Sequence, residues 1–320
     1  PLSPGKRADT FVDGQRAPGR TTSDPNMNDN QTLLLTGATG FIGNELLQHF
    51  RTRGWNIVAL VRKEPAKNTP GVIYRHFDLV SPLLDSDTFE KIDAFIHAAY
   101  VKAGKGADAV SVNTQSSRQL HDAALRAEVK QNIFISSLAA RSNAVSEYGR
   151  QKFAIEKIFS GANDAVIRPG LVLGEGGLFA NMRKHAGKGG RIPLFGGGKQ
   201  PLQTVHVADL VSIIDKIISQ RAMGSYTVAE PEPVPYRVFY EELCRTLGVT
   251  PRFLHTPYWF ANVALRTAET LGIKLPVNSD NLLGLKTMQA VDSRMSLEKF
   301  SVSVRNYRES LRDLAKGSGT

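Results

Sequence analysis

A run of glycines, Thr36-Gly37-Ala38-Thr39-Gly40-Phe41-Ile42-Gly43, follows the apolar stretch Leu33-Leu34-Leu35 and runs directly into Asn44-Glu45-Leu46-Leu47-Gln48-His49-Phe50. An apolar strand that turns on glycines into an amphipathic helix is the local pattern of a phosphate-binding crossover. Gly37 allows the tight turn, Gly40 lets the backbone approach a pyrophosphate, and Gly43 lets the helix sit against its strand. The helix N-terminus adds free N–H donors and the positive end of its dipole. Thr39, Phe41 and Ile42 lie in the same turn and are expected beside the nucleotide.

Strand and helix patterns then alternate. Further strands are predicted at Trp55 to Val61, Val72 to Phe77, Ala94 to Ala99, Ile133 to Ser136 and Ala165 to Arg168, with helices clearest over 107–128 and 147–160. Such alternation implies right-handed crossovers and an α/β fold: a Rossmann-like, doubly wound parallel sheet that takes its ligand at the carboxyl ends of the strands. The predicted division is a disordered leader or processed remnant over 1–31, a dinucleotide-binding domain over 32–230, and a smaller, mostly helical substrate lobe over 231–320 to which 174–203 contribute. Pro231, Pro233 and Pro235 mark the boundary.

Composition narrows the classes of function. With 320 residues and 41% hydrophobic content the chain can bury a large core, and no apolar run reaches the ~20 residues that span a bilayer. The single cysteine, Cys244, rules out an intramolecular disulfide and fits a reducing, cytoplasmic location; no metal site is expected. In the leader, Lys6, Arg7, Arg16 and Arg20 balance Asp9, Asp13, Asp24 and Asp29, so the net charge of +10 falls on the remainder. That excess favours an anionic small molecule, whereas the basic stripe with interleaved aromatics of a nucleic-acid binder is missing.

At the end of the second strand, Val61-Arg62-Lys63 places a cation where a carboxylate would select NAD; Arg62 suits the 2′-phosphate of NADP, with NAD the alternative because Glu64 follows. Asp78 and Leu79 end the third strand and are candidates for the adenine edge, although an Asp in a turn also caps local backbone. After His97, which is expected to be structural, Ala98 and Ala99 are small enough for a cofactor to lie against the backbone. Tyr148 and Lys152 are four apart, on one helical face, so the ammonium is expected to favour the phenolate, lower the phenol's pKa and create a general acid/base. Ser137, at the end of the fifth strand, would hydrogen-bond the substrate oxygen.

TGATGFIG (36–43), HAA (97–99), ISS (135–137), YGRQK (148–152) and RPGLVLG (168–174), in that order, resemble the short-chain dehydrogenase/reductase superfamily in its extended or atypical branch of nucleotide-sugar epimerases and dehydratases. The resemblance spans about 32–230. It implies a Ser137/Tyr148/Lys152 triad, a lysine that also holds the nicotinamide ribose, and a backbone segment with Pro169 and Leu171 passing the nicotinamide. It further implies hydride transfer between nicotinamide C4 and a secondary alcohol or ketone, and a homodimer through helices at 107–128 and 147–160. Asn113 matches a helix asparagine of the family. A dinucleotide-binding redox sensor or assembly subunit without turnover remains the alternative.

The substrate lobe is less explicit. Gly174 to Gly177, Gly187 to Arg191 and Gly196 to Lys199, with a helical piece over Leu178 to His185 between the first two, read as flexible loops over a cleft, with Arg183 and Arg191 as candidate cations for a diphosphate and Asn181 as a loosely matched polar contact. Leu202 and Gln203 stand where many nucleotide-sugar epimerases carry an arginine, so either another cation serves or the substrate has no diphosphate. Helices are predicted over 207–219, 236–247, 257–271 and 304–315; Tyr258, Trp259, Phe260, Val263 and Leu265 are assigned to core packing, with a pocket, partner or membrane-facing patch as the alternatives.

Overall fold

The apolar runs do lie side by side as strands. A computed structural model describes residues 31–66, 69–101, 109–189, 191–273 and 279–317, so the leader expected over 1–31 falls outside it except for Gln31. The first half alternates β1 (Thr32–Thr36), α1 (Phe41–Thr52), β2 (Asn56–Val61), β3 (Val72–His76), β4 (Ala94–His97), α2 (Ala109–Arg126), β5 (Gln131–Ile135), α3 (Glu147–Glu156) and β6 (Asp164–Pro169). Then come β7 (Leu171–Leu173), α4 (Gly177–Gly187), β8 (Arg191–Phe195), β9 (Pro201–Leu202), β10 (Thr204–His206), α5 (Val207–Ser219) and β11 (Gly224–Val228). The chain continues through β12 (Val234–Pro235), α6 (Tyr236–Thr246), β13 (Arg252–Thr256), α7 (Tyr258–Thr270), α8 (Ser279–Lys286), α9 (Arg294–Lys299) and α10 (Tyr307–Gly317).

Seven parallel strands form the central sheet in the order β11-β6-β5-β4-β1-β2-β3. Winding reverses between β1 and β4, and the crevice at their carboxyl ends is where this topology receives ligands. Leu33, Leu34 and Leu35 are all fully buried, because helices cover both faces and the strand need not alternate. On one face α5 buries Leu210, Ile213, Ile214 and Ile217 as its periodicity predicts. Its Asp215 accepts from His49 Nε2 at 3.0 Å, tying α5 to α1.

Sequence reading missed the seventh strand. β11 is a short edge strand with an exposed start, so it lacks the continuous apolar run that marks its neighbours. α9 covers that edge: Thr227 N–H donates to Ser296 Oγ at 3.0 Å, and Leu297 and Phe300 join the core beneath the sheet. The last helix begins at Tyr307 rather than 304, because Asn306 and Glu309 form a reciprocal capping box, each side chain accepting from the other's N–H at 3.0 Å.

A second core unites β7, α4, α6 and α10 through Leu173, Phe179, Phe239, Leu243 and Leu311, and it encloses Cys244. A parallel pair, β8 with β13, leads into α7, which packs on α8 through Ala261 and Leu282 with Tyr258 and Leu265. Core packing of the whole aromatic run is not what forms. Trp259, Phe260 and Val263 project outward, since two small alanines at 261 and 268 suffice to seat α7.

Candidate active site

The glycine turn is shaped by its neighbours. Gly37 has φ +73°, and a Cβ there would stand 2.8 Å from Ala99 N; at Gly43 it would stand 2.0 Å from the Gly37 carbonyl oxygen. Neither position admits a side chain. α1 opens with no side-chain cap and no acidic residue in its first turn, so no side chain of its own competes for the N–H donors or the dipole there. That is a fit for a pyrophosphate. Thr39 is exposed, whereas Phe41 and Ile42 turn inward: Ile42 packs on the core, and the Phe41 ring lies where Cβ atoms at Gly174 and Gly176 would come within 2.5 Å. Gly174 and Gly176, in a loop read from sequence as flexible, are kept without side chains by that ring.

Around the turn, Thr36 Oγ1 accepts from Ala98 N and Ala99 N at 3.2 Å each and lies 2.7 Å from His97 Nδ1. With both N–H groups donating to it, the hydroxyl donates to Nδ1, which leaves His97 Nε2–H for Ser117 Oγ at 2.9 Å. Burial, reinforced by the charge of Lys152, drives His97 down to about 3, so it is neutral and structural. Arg62 is exposed immediately after β2, with no ion pair among the described residues. Asp78 Oδ1 accepts from Val80 N at 3.0 Å, the local cap that its turn position also allowed. Leu79 buries its side chain, while its carbonyl accepts from Ser116 Oγ at 2.5 Å.

Tyr148 and Lys152 both lie on α3, whose N-terminus is fully provided for. Ser146 Oγ accepts from Gly149 N at 3.2 Å, and Asp280, reaching over from α8, accepts from Glu147 N at 2.5 Å and Tyr148 N at 3.2 Å. Ser137 is near enough to the Tyr148 phenol to oppose the rise in its pKa. Lys152 Nζ is buried one turn further on, donating to the Ile135 carbonyl at 2.8 Å and standing 6.0 Å from the Tyr148 ring centre. The three predicted groups therefore converge at the carboxyl end of β5.

One electrostatic expectation is reversed. The phenol was to be pulled below its ordinary value by the ammonium, but burial pushes it above, opposed by the hydrogen bond with Ser137. Lys152 points at a carbonyl rather than at the phenol, and burial depresses its own proton affinity to about 7 against the pull of Glu156.

Several residues in this constellation escaped the sequence reading. Tyr100 sets its ring edge-on to Tyr148 at 5.2 Å and donates to Gln151 Oε1 at 3.0 Å, an oxygen that also accepts from Asn113 Nδ2 at 3.0 Å. Asn113, which the sequence did single out, pins the chain after β4 by accepting from Val101 N at 2.9 Å. Glu156, itself buried, accepts from Ser136 Oγ at 2.5 Å and from Arg168 Nε at 2.8 Å, an ion pair with a half-exposed arginine. Its i+4 spacing from Lys152 was a legible signal; Asp280, distant in sequence, offered none.

The predicted substrate contacts do not assemble. Asn181 Nδ2 donates back to the Gly177 carbonyl at 3.4 Å, Arg183 is held two-handed by Glu175, and Arg191 is exposed at the start of β8 in register with Arg252. Pro169 and Leu171 are close to the site, the Pro169 carbonyl accepting from Leu138 N at 3.3 Å and Leu171 N donating to the Gln203 carbonyl at 2.9 Å. Gln203 is buried, and its amide exchanges hydrogen bonds with the backbone of Val291 at 2.8 Å in both directions, so this position serves the fold.

Comparison with known proteins agrees with this geometry. The model of the NAD dependent epimerase/dehydratase family matches residues 33–229. The ceramide reductase of Caulobacter vibrioides is 27% identical over 240 residues, covering 70% of this chain and 73% of that protein. The UDP-glucose 4-epimerase of Vibrio cholerae is 24% identical over 261 residues, covering 72% and 80% respectively. A human epimerase family protein solved with NADPH shares the fold at a TM-score of 0.69 and 20% identity, over 89% of this chain and 99% of its own. With a bare glycine turn at the β1/β4 crevice and a family match across the whole sheet, the chain belongs to the NAD dependent epimerase/dehydratase family and is an NAD(P)-dependent enzyme.

Proposed function

We propose that the chain interconverts a secondary alcohol and a ketone with NADP, using Tyr148 as proton donor and acceptor, Ser137 as the hydrogen-bond donor to the substrate oxygen, and Lys152 as the cation behind them. The observation that carries this reading is the convergence of Ser137, Tyr148 and Lys152 at the carboxyl end of β5. The N–H groups of α1 and the turn 37–43 would hold the pyrophosphate, Arg62 the 2′-phosphate, and Lys152 the nicotinamide ribose. The bound nicotinamide supplies or takes the hydride. In the reducing direction Tyr148 gives its phenolic proton to the carbonyl oxygen while Ser137 donates a hydrogen bond to the charge developing there. A phenol kept protonated by burial is suited to that donor role.

For the substrate, the favoured reading is an alcohol or ketone without a nucleotide diphosphate. Gln203 is committed to backbone, Leu202 is buried, and Arg183 is neutralised by Glu175. The relative named as a ceramide reductase is consistent with that class. A nucleotide sugar is the second reading, supported by the relative named as a UDP-glucose epimerase.

The test is to identify by mass spectrometry any dinucleotide the purified protein carries, then to follow NADPH oxidation with long-chain ketones and with oxidised nucleotide sugars. Arg62→Glu is expected to weaken NADP binding by roughly tenfold or more while sparing NAD. Tight NAD in place of NADP, with epimerisation of UDP-glucose, would overturn both the cofactor and the substrate assignments.

A further inference from the structure

The sequence assigned Tyr258, Trp259, Phe260, Val263 and Leu265 to core packing, and three of the five are outside. On α7, Trp259 is 71% exposed, Phe260 55% and Val263 59%, while Ala261 packs against α8 and Ala268 is buried on the same inner side. By the 3.6-residue period, Trp259, Phe260, Val263, Thr267, Thr270 and Leu271 share one outward strip. An aromatic pair standing edge-on in water, with an exposed valine and leucine beside it, is more than the scattered apolar residue any surface carries.

Charge decides what can cover it. Arg266 flanks the strip, and Lys286 sets its Nζ 5.6 Å from the Tyr258 ring at the start of the helix. Arg252 is exposed on the strand that feeds α7, with Arg191 beside it in register. Among the described residues none of these four cations has a carboxylate within ion-pair distance. The one acid of α7, Glu269, lies on another side of the helix and accepts from Ser279 N at 2.6 Å. A second copy of the chain would set this cationic face against itself, and residues 1–30 have no net charge to offer it. An aromatic, aliphatic strip flanked by Arg266, on a chain of net charge +10 whose neighbouring elements add Lys286, Arg252 and Arg191, complements an anionic lipid surface.

We propose that the outward face of α7 docks on an anionic bilayer, with Trp259 and Phe260 entering the headgroup region and Arg266, at the edge of the strip, meeting lipid phosphates. The attachment is peripheral, since among the described residues no helix is long and apolar enough to cross a membrane. α7 also packs on α8, whose Asp280 caps the helix of Tyr148, so the docking element is mechanically joined to the reaction site. Docking is independent of the substrate proposed above and can be scored without one.

The chain contains its own reporter. Its two tryptophans are Trp55, 3% exposed, and Trp259, so any solvent-dependent change in emission belongs to Trp259. The full chain is mixed with vesicles of phosphatidylcholine alone or with phosphatidylglycerol. A blue shift, protection from acrylamide and co-sedimentation are expected with the anionic vesicles, and Trp259→Ser/Phe260→Ser should reduce sedimentation by roughly tenfold or more. Equal binding to phosphatidylcholine, or no shift with either vesicle, would overturn the proposal. So would a Trp259 already shielded from acrylamide without lipid: loss of that shielding on dilution would identify a second copy, and loss on removing residues 1–30 would identify the leader.

Discussion

α3 and α7 break the rule of apolar inside and polar outside in opposite directions. α3 buries Gln151, Lys152 and Glu156, whereas α7 exposes Trp259, Phe260 and Val263. The inward violation is compensated by contacts: Lys152 has the Ile135 carbonyl, Glu156 has Ser136 and Arg168, and Gln151 has Tyr100 and Asn113. The outward violation has no compensation among the described residues. A buried charge that is fully partnered points to chemistry performed inside the fold, and an exposed aromatic strip that is not points to something beyond it.

The sharpest way to break the comparison is at Tyr148. Tyr148→Phe keeps the ring against Tyr100 but removes the proton, so turnover should fall by about 10²- to 10⁴-fold while dinucleotide titration stays nearly unchanged. Undiminished turnover would remove α3 from the chemistry. Next comes Glu156→Leu, which strands the Ser136 hydroxyl and the Arg168 guanidinium and should cost about 3–5 kcal/mol of stability in a urea melt. A loss below 1 kcal/mol would mean the pair behaves as a surface one.

The burial of Lys152 gives an effect of definite sign. Its folded-state value is depressed to about 7, so above that pH the unfolded chain binds the proton that the folded chain has released. Stability should therefore rise from pH 7 toward pH 10, where the unfolded lysine also loses its proton. Lys152→Met should flatten that rise, and an identical slope in the variant would place the titration elsewhere. The smallest effect belongs to α7. Trp259→Ser/Phe260→Ser should change stability by no more than about 0.5 kcal/mol per site, since neither ring is in the core. A cooperative loss of several kcal/mol would show that the strip is covered in the folded protein and sharpen the contrast the other way.

Much of α3 was legible beforehand and little of α7. Tyr148, Lys152 and Ser137 stand at fixed spacings on elements whose order is set by the glycine turn and the apolar strands, so local pattern carried them to the site. Arg183 and Asn181 looked equally suitable, but Glu175 and the Gly177 carbonyl claim them, and neither partner is visible from composition. Trp259 resembled a core residue because apolarity alone does not say which face of a helix meets a neighbour.

Periodicity and backbone freedom, both local properties, were enough for the sequence to determine a parallel sheet, a bare phosphate-binding turn and a Tyr–Lys pair on one helix face. Only the tertiary structure decided that the Tyr148 phenol stands high rather than low, that Asp280 caps its helix from the far end of the chain, and that Trp259 faces outward. Desolvation, long-range capping and the choice of buried face depend on what packs nearby, and residues more than a hundred positions apart acquire that relation only when the chain folds.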